Sequence, residues 1–362
     1  MAARYARGRA PAWLLEMLTS EIKEKARQLG FELVGIAAAD DPALIDAVAR
    51  YSDWVARGYG ATMDYLRRHT ELKAQPEKLL PGWKSVVCVG LLYGAGSSES
   101  QKAENGAEVS LYTRGADYHE VVGTRLVEFA EWLQARGVTS RPFVDSEPVL
   151  DRFWASRAGL GWIGRNAMLI NRKAGSYFFI GGLLLNVALD ADEPGIDHCG
   201  RCRKCIEACP TVAITEDRFI ESGKCIAYHT IENRGVVPES VMAATGSWIA
   251  GCDICQRVCP WNDPVTPGPA FETKNPAFNA ELTALARWSA GDFKANTAGI
   301  AMGRMKFSGF VRNVAIALAN SAVPAAAKSA ALDQLEVSVS ALPVGAGREG
   351  ALAALEWAKR KK

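Results

Sequence analysis

A chain of 362 residues, about half of them hydrophobic, is long enough for two or three domains with a sizeable buried core. Its net charge of +2 excludes a strong bulk field, and no run reaches the ~18–20 uninterrupted apolar residues of a membrane helix. Eight of the nine cysteines fall within 61 residues at metal-ligand spacings, which in a reducing compartment means metal rather than disulfides.

The N-terminal "MAARYARGRAPAW" is basic, lacks the apolar core of a secretory signal and has no twin arginine, so a cytoplasmic protein is expected. Residues 1–16 read as an irregular extension, with Met17 as a serviceable alternative start. Ser20 can cap a helix whose Ile22, Ala26 and Leu29 share one face and which Gly30 ends. "FELVGIA" (31–37) reads as a strand. Asp41 as cap, Pro42 in the first turn and Gly58 as stop frame a helix over 42–58. "SVVCVGLLY" (85–93) is a buried strand whose Cys88 is an inert core residue. Polar residues 94–108 form a loop, and a long helix runs from about Asp117 to Gly137.

A short strand, "RPFVD" (141–145), precedes a helix at about 147–158. "NAMLI" and "SYFFIGGLLLNVAL" read as a hairpin-like pair joined through "NRKAGS". Strands and helices alternate without regular βαβ order, which predicts an α+β domain over 17–192. Residues 193–270 carry the cysteines and little apolar sequence, so metal is expected to organise them. Residues 271–362 are Ala- and Leu-rich. "FSGFVRNVAIALAN" and "GREGALAALEWAKRK", about 40 residues apart, suit HEAT-type helix pairs. From Ile300 onward there are nine Lys/Arg against four Asp/Glu, which fits either a solvated basic tail or a face for an acidic partner.

"CGRCRKCIEACP" (199–210) has the x2-x2-x3 spacing and terminal Cys-Pro of the bacterial ferredoxin run. Short gaps let three thiolates converge on one cubane, while the fourth ligates the other cluster. "CDICQRVCP" (252–260) repeats the last three positions, with Ile249 where the first cysteine would stand. A second cubane needs one more thiolate, and Cys225 is the free cysteine nearby. The arithmetic closes with Cys199, Cys202, Cys205 and Cys259 on one [4Fe-4S] cluster and Cys209, Cys225, Cys252 and Cys255 on the other. Zinc is the competing occupant of paired C-x2-C motifs, and the two Cys-Pro endings weigh against it.

Two further motifs invite other readings. "GLGWIG" (159–164) matches the dinucleotide fingerprint, but a helix precedes it and a strand follows, the reverse of the required order. The glycines then serve a tight loop that approaches another backbone or a flat ligand. "DYHEVVG" (117–123) could offer His119 to cobalt, yet Asp117 as N-cap and His119 as a first-turn residue explain it as well. Among the acids ahead of the glycine loop, Asp145 and Glu147 suit a charged helix start. Asp151, one turn in and beside Phe153 and Trp154, is placed for partial burial, which would raise its pKa and suit it to donate a proton.

"RAGLGWIGRN", "VDSEPVLDR", "LLPGWKSVVCVGLLY", "RGADYH" and the asymmetric cysteine pattern together resemble the epoxyqueuosine reductase family, from about Met17 to Asn320. The resemblance implies an enzyme that reduces the epoxide of epoxyqueuosine at the tRNA wobble position to the alkene of queuosine. Its cofactors would be two [4Fe-4S] clusters feeding cob(I)alamin bound base-off. The implied fold is a catalytic domain related to reductive dehalogenases, a ferredoxin-like module and HEAT-like helices that contact the anticodon stem-loop. Residue by residue, Asp151 matches the proton donor. Lys73, Tyr112, Ser176 and Ala227 fall at or near cobalamin contacts, and Arg234 at a tRNA contact. Lys73 stands where Arg is usual and Ala227 where Ser is common, so a contact at 227 would be through backbone. Base-off binding needs no histidine ligand, which argues against His119. A monomer served by an external low-potential electron donor, without a membrane, is expected. The rival readings are a dehalogenase-like cobalamin reductase of a small molecule and a bare iron–sulfur electron carrier.

Overall fold

The computed structural model describes residues 12–94, 105–262, 271 and 275–361. The chain forms two compact units: Met1–Gly94 with Tyr118–Cys202 and Pro260–Ala270, and Ala95–Asp117 with Arg203–Cys259 and Phe271–Lys362. The three-domain expectation (17–192, 193–270, 271–362) divides the chain differently. Most of the cysteine segment shares a unit with the C-terminal helices.

The first unit is built on a four-stranded antiparallel sheet in the order Leu33–Ala38, Ser85–Leu92, Phe178–Leu185, Ser140–Phe143. Its two central strands are almost wholly buried, as their continuous apolar runs require. Cys88, fully buried opposite Gly182, is the inert core residue expected, and burial pushes its thiol up. The helix Asp151–Arg157 packs on the sheet face that carries Val86, Cys88 and Leu184. The helix Tyr118–Gln134 lies on the other face. There a Cβ on Gly181 would come within 2.9 Å of Leu126 and Val122 side-chain atoms, so glycine sets the close approach.

Several expectations need correction. The first helix starts at Ala12 and runs to Gln28, so Ser20 is interior rather than a cap and the extension is not irregular up to residue 16. Residues 1–11 lie outside the described residues. Phe178–Leu185 does not pair with "NAMLI". It crosses to Ser85–Leu92 and Ser140–Phe143, while Leu169–Ile170 pairs with Trp162–Ile163. The helix expected from 147 begins at Asp151, after an irregular stretch, so Asp151 opens the helix instead of standing one turn in. The helix Ala43–Ala56 starts one residue later than expected, with Pro42 rather than Asp41 at its N-cap, and the Asp41 Oδ1 atom accepts from the Ala43 N–H at 2.9 Å.

The second unit joins a parallel strand pair, Glu108–Val109 with Trp248–Ala250, to three long helices, Lys306–Asn320, Ala325–Ser340 and Ala346–Arg360. Of the loop expected over 94–108, residues 95–104 lie outside the described residues. Metal is not the sole organiser of the cysteine segment. Ile226, Val241, Trp248 and Ile249 share one core with Phe310, Leu335 and Leu355. Two buried polar residues tie the Lys306–Asn320 helix to that segment. Arg312 donates to the carbonyls of Asn233 (2.8 Å), Gly235 (3.0 Å) and His229, and Asn313 donates to those of Thr230 and Ile249, both at 2.8 Å. Burial, with Arg234 nearby, lowers the Arg312 guanidinium to about 10. Arg312→Ala takes the guanidinium donor from three carbonyls, of which those of Asn233 and His229 are buried. A loss of about 3–5 kcal/mol is expected, read as a lower denaturant midpoint with little change in slope.

Candidate iron–sulfur and proton-donor site

The candidate residues fall in both units. In the second unit, two short helices carry the cysteine runs: Lys204–Glu207 with Cys205, and Ile254–Arg257 with Cys255. They pack against each other and share one hydrogen-bond ladder. The Ile206 N–H donates to Arg203 and Cys209 N–H to Ile206. Fifty residues on, Gln256 donates to Asp253 and Cys259 to Gln256. The repeat read from the spacing is therefore a repeat of backbone geometry.

Cys225 is the N-cap of the helix Ile226–Ile231, in an extended conformation that leaves the Ala227 and Tyr228 amides facing its sulfur. Burial pushes the thiols of Cys225, Cys252 and Cys255 up, and neighbouring thiols add to this: Cys209 acts on Cys225, and Cys225 on both Cys252 and Cys255. Cys209 thus lies within electrostatic reach of Cys225, and Cys225 within reach of Cys252 and Cys255. A site that brings these partly buried sulfurs together fits a cationic iron–sulfur core, which binds thiolates and offsets their charge. The Ala213 N–H donates to the Cys209 sulfur at 3.3 Å, the kind of bond that supports a cluster ligand. Cys205 also reaches Cys255 electrostatically, and Cys259 is buried. Cys199 and Cys202 belong to the first unit.

The first unit holds the acids. Asp151 is half-buried, and its Oδ1 accepts from the Arg152 N–H at 2.7 Å. Lys73, on the short helix Thr70–Ala74, lies within electrostatic reach of both Asp151 and Asp145. Burial lowers its ammonium pKa, and the two carboxylates oppose that fall. Its Nζ donates to the Val149 carbonyl at 3.2 Å and lies 5.5 Å from the centre of the Tyr51 ring. Tyr51 itself is pushed up to about 12, first by burial and then by Tyr65. Asp145 has a left-handed backbone (φ 52°), accepts from the Tyr118 hydroxyl at 2.6 Å and faces His119 Nε2 at 3.2 Å. His119 is accordingly a partner of Asp145. Sequence reasoning gave Lys73 to the corrin and did not see that it also faces Asp151. The signal was nonlocal, since 78 positions separate the two residues.

The remaining residues carried over from the resemblance have these places. Ser176 is buried, with its N–H on Asn262 Oδ1 at 2.7 Å and its hydroxyl accepting from Asn262 Nδ2 at 3.0 Å. Tyr112 sits in the turn Leu111–Thr113, its ring edge against Gly251 just before Cys252. The buried carboxylate of Asp253 holds that turn through the Ser110 hydroxyl and the Leu111 N–H. Ala227 is partly exposed in the first turn after Cys225. Arg234 is partly buried and donates to the carbonyls of Ile231, Met305 and Arg304, so its guanidinium ties two segments of the second unit together. In the glycine loop, a Cβ on Gly161 would lie 2.1 Å from the Ile170 carbonyl oxygen, so the close approach is to backbone rather than to a nucleotide.

Residues 198–262 match the family model "4Fe-4S double cluster binding domain", and residues 73–146 match "Epoxyqueuosine reductase QueG, DUF1730". A curated epoxyqueuosine reductase of Aliivibrio fischeri is 38% identical over 325 residues, which is 88% of this chain and 87% of that one. The chain belongs to the epoxyqueuosine reductase family. Two crystal structures of epoxyqueuosine reductases, each 23% identical, share its fold. One is selenomethionine-labelled (TM-score 0.79, covering 94% of this chain and 99% of that one). The other holds an epoxyqueuosine-modified tRNA-Tyr stem loop (TM-score 0.72, covering 95% and 99%). Family membership makes this chain an oxidoreductase, and the matched double-cluster module spans all eight clustered cysteines. No helix among the described residues is long and apolar enough to cross a membrane.

Proposed function

We propose that this epoxyqueuosine reductase family member reduces the epoxide of epoxyqueuosine at the wobble position of tRNA to the alkene of queuosine, with Asp151 as proton source. The observation that carries this reading is the set of thiols grouped around Cys225 in a chain of this family. Such a set delivers electrons singly, and this reduction takes two. Both carbon–oxygen bonds of the epoxide break, two electrons and two protons enter, and alkene and water leave.

The two clusters take Cys199, Cys202, Cys205 and Cys259, and Cys209, Cys225, Cys252 and Cys255. The proposed cobalamin contacts are Lys73, Tyr112, Asp151, Ser176 and Ala227. When bound, the corrin supplies a strongly reducing cobalt centre that the clusters recharge. Asp151 hands a proton to the departing oxygen. Lys73 lies within electrostatic reach of Asp151. Tyr118 and His119 hold Asp145, which together with Asp151 opposes the fall that burial imposes on the Lys73 ammonium pKa. The purified protein is expected to take up cobalamin, seen as a corrin absorbance that survives gel filtration. A protein that carries iron and sulfide but takes up no corrin would be an electron carrier instead.

The proposed partner is the anticodon stem-loop, from which the modified base must leave its stack to be reached. With net charge +2, attraction to phosphate is modest. Binding of the stem-loop, measured by fluorescence anisotropy, is expected to weaken about tenfold or more between 50 and 200 mM salt. Salt-independent binding would count against an RNA substrate.

A further inference from the structure

The glycine loop that resembles a dinucleotide motif carries Trp162, and the structure gives that residue a partner outside any nucleotide chemistry. Its indole N–H points at the Cys199 sulfur, at 3.4 Å. Trp162 is almost fully buried, so this donor does not exchange its partner for water. We infer that Trp162 is a positioning and tuning residue for the first [4Fe-4S] cluster, setting its reduction potential through an N–H···S bond to Cys199. The inference rests on the reading that Cys199 ligates a cluster.

The geometry is held from several sides. A Cβ on Gly195 would lie 1.8 Å from the Gly161 carbonyl oxygen, and one on Gly159 would lie 2.7 Å from the Glu193 carbonyl oxygen. The loop and the segment leading to Cys199 therefore press backbone to backbone, and a side chain at any of these glycines would push them apart. The Gly195 N–H donates to the Ser156 carbonyl at 2.9 Å, and Asn171 Nδ2 donates to the Leu160 carbonyl at 2.7 Å. Around the cysteine, the Cys199 N–H donates to Asp197 Oδ1 at 2.7 Å, and Arg165 Nη2 donates to the Gly200 carbonyl at 2.9 Å. The indole packs edge-on against both His198 (5.0 Å, 75°) and Trp261 (5.1 Å, 81°), whose rings also touch each other at 5.6 Å. A tryptophan fixed this firmly keeps its one N–H on the sulfur, since it has no second donor and little room to turn.

The consequence follows from charge. Adding an electron makes the cluster and its thiolates more negative, so a donor on a ligand sulfur stabilises the reduced form more than the oxidised form and raises the potential. The second cysteine run has Ile249 at the position equivalent to Cys199, so the bond has no counterpart there and its effect belongs to one cluster.

The test is an EPR-monitored redox titration of the holoprotein and of Trp162→Phe, with iron content measured alongside. Phenylalanine keeps a ring against His198 and Trp261 but removes the N–H. Losing a bond that favours the reduced form over the oxidised form by about 1.4 kcal/mol makes the reduced-to-oxidised ratio of one cluster fall about tenfold at a fixed applied potential, or about 59 mV to more negative values. The other midpoint stays in place. Replacing Trp162 with benzothienylalanine, which keeps the shape of indole and lacks its N–H, should give the same shift. This variant decides the matter if Trp162→Phe loses its cluster. Unchanged midpoints in a fully loaded variant, or a shift with phenylalanine that the benzothienyl variant does not reproduce, would overturn the inference. Wild-type protein that binds no iron under anaerobic reconstitution would overturn the cluster reading itself, and this inference with it.

Discussion

Asp151→Ala is expected to remove about two to four orders of magnitude from the rate of epoxide reduction, the usual contribution of a positioned general acid. The leaving oxygen then departs without a proton from the protein. The substitution should spare the fold. Asp151 is half-buried at the start of a helix whose packing rests on Phe153, Trp154 and Ala155, and its carboxylate accepts from the next residue's amide. Iron content and corrin absorbance should match the wild type, which separates a chemical defect from a loading defect. Single-turnover assays on pre-reduced protein isolate the step from electron delivery. Undiminished queuosine formation in that assay would remove Asp151 from the mechanism.

The second large effect concerns Cys225, which lies outside both cysteine runs. Cys225→Ala should cut iron from roughly eight to roughly four atoms per chain and remove one of the two reduced-cluster EPR signals. Turnover should fall to background, because a wire with one cluster missing does not carry electrons. Cys88→Ala is the control. Cys88 is buried in the sheet opposite Gly182, and its replacement should leave iron and both signals intact. Retention of all iron in Cys225→Ala would mean that the second cluster draws its fourth ligand from elsewhere, and would break the interleaved assignment.

The repeated backbone geometry of the two cysteine runs was legible because spacing is a local property. Ligand gaps of two and three residues dictate short helices, and the 204–207 and 254–257 helices carry the same ladder. Pairing across the sheet was less legible. "SYFFIGGLLLNVAL" is apolar throughout, so nothing in it names its neighbours, and it pairs with residues far earlier in the chain instead of with "NAMLI". The start of the helix over Asp151 was misplaced because "VDSEPVL" contains good helix-starting residues that the chain uses in bends, with Asp145 left-handed. Metal was expected to organise the cysteine segment alone because apolar residues there are sparse. Arg312 and Asn313 reach it from a helix some eighty positions later, and no local pattern announces that. Trp162 was hidden for a different reason. Its motif imitates a nucleotide loop, and its sulfur partner is visible only in three dimensions.

The central claim is that this chain turns epoxyqueuosine in tRNA into queuosine. The most direct measurement is LC–MS of nucleosides from epoxyqueuosine-containing tRNA incubated anaerobically with the cluster-loaded protein, cobalamin and a low-potential reductant. Conversion to queuosine, dependent on cobalamin and lost in Asp151→Ala, is the predicted result. Epoxyqueuosine left intact by protein that holds both clusters and corrin would contradict it.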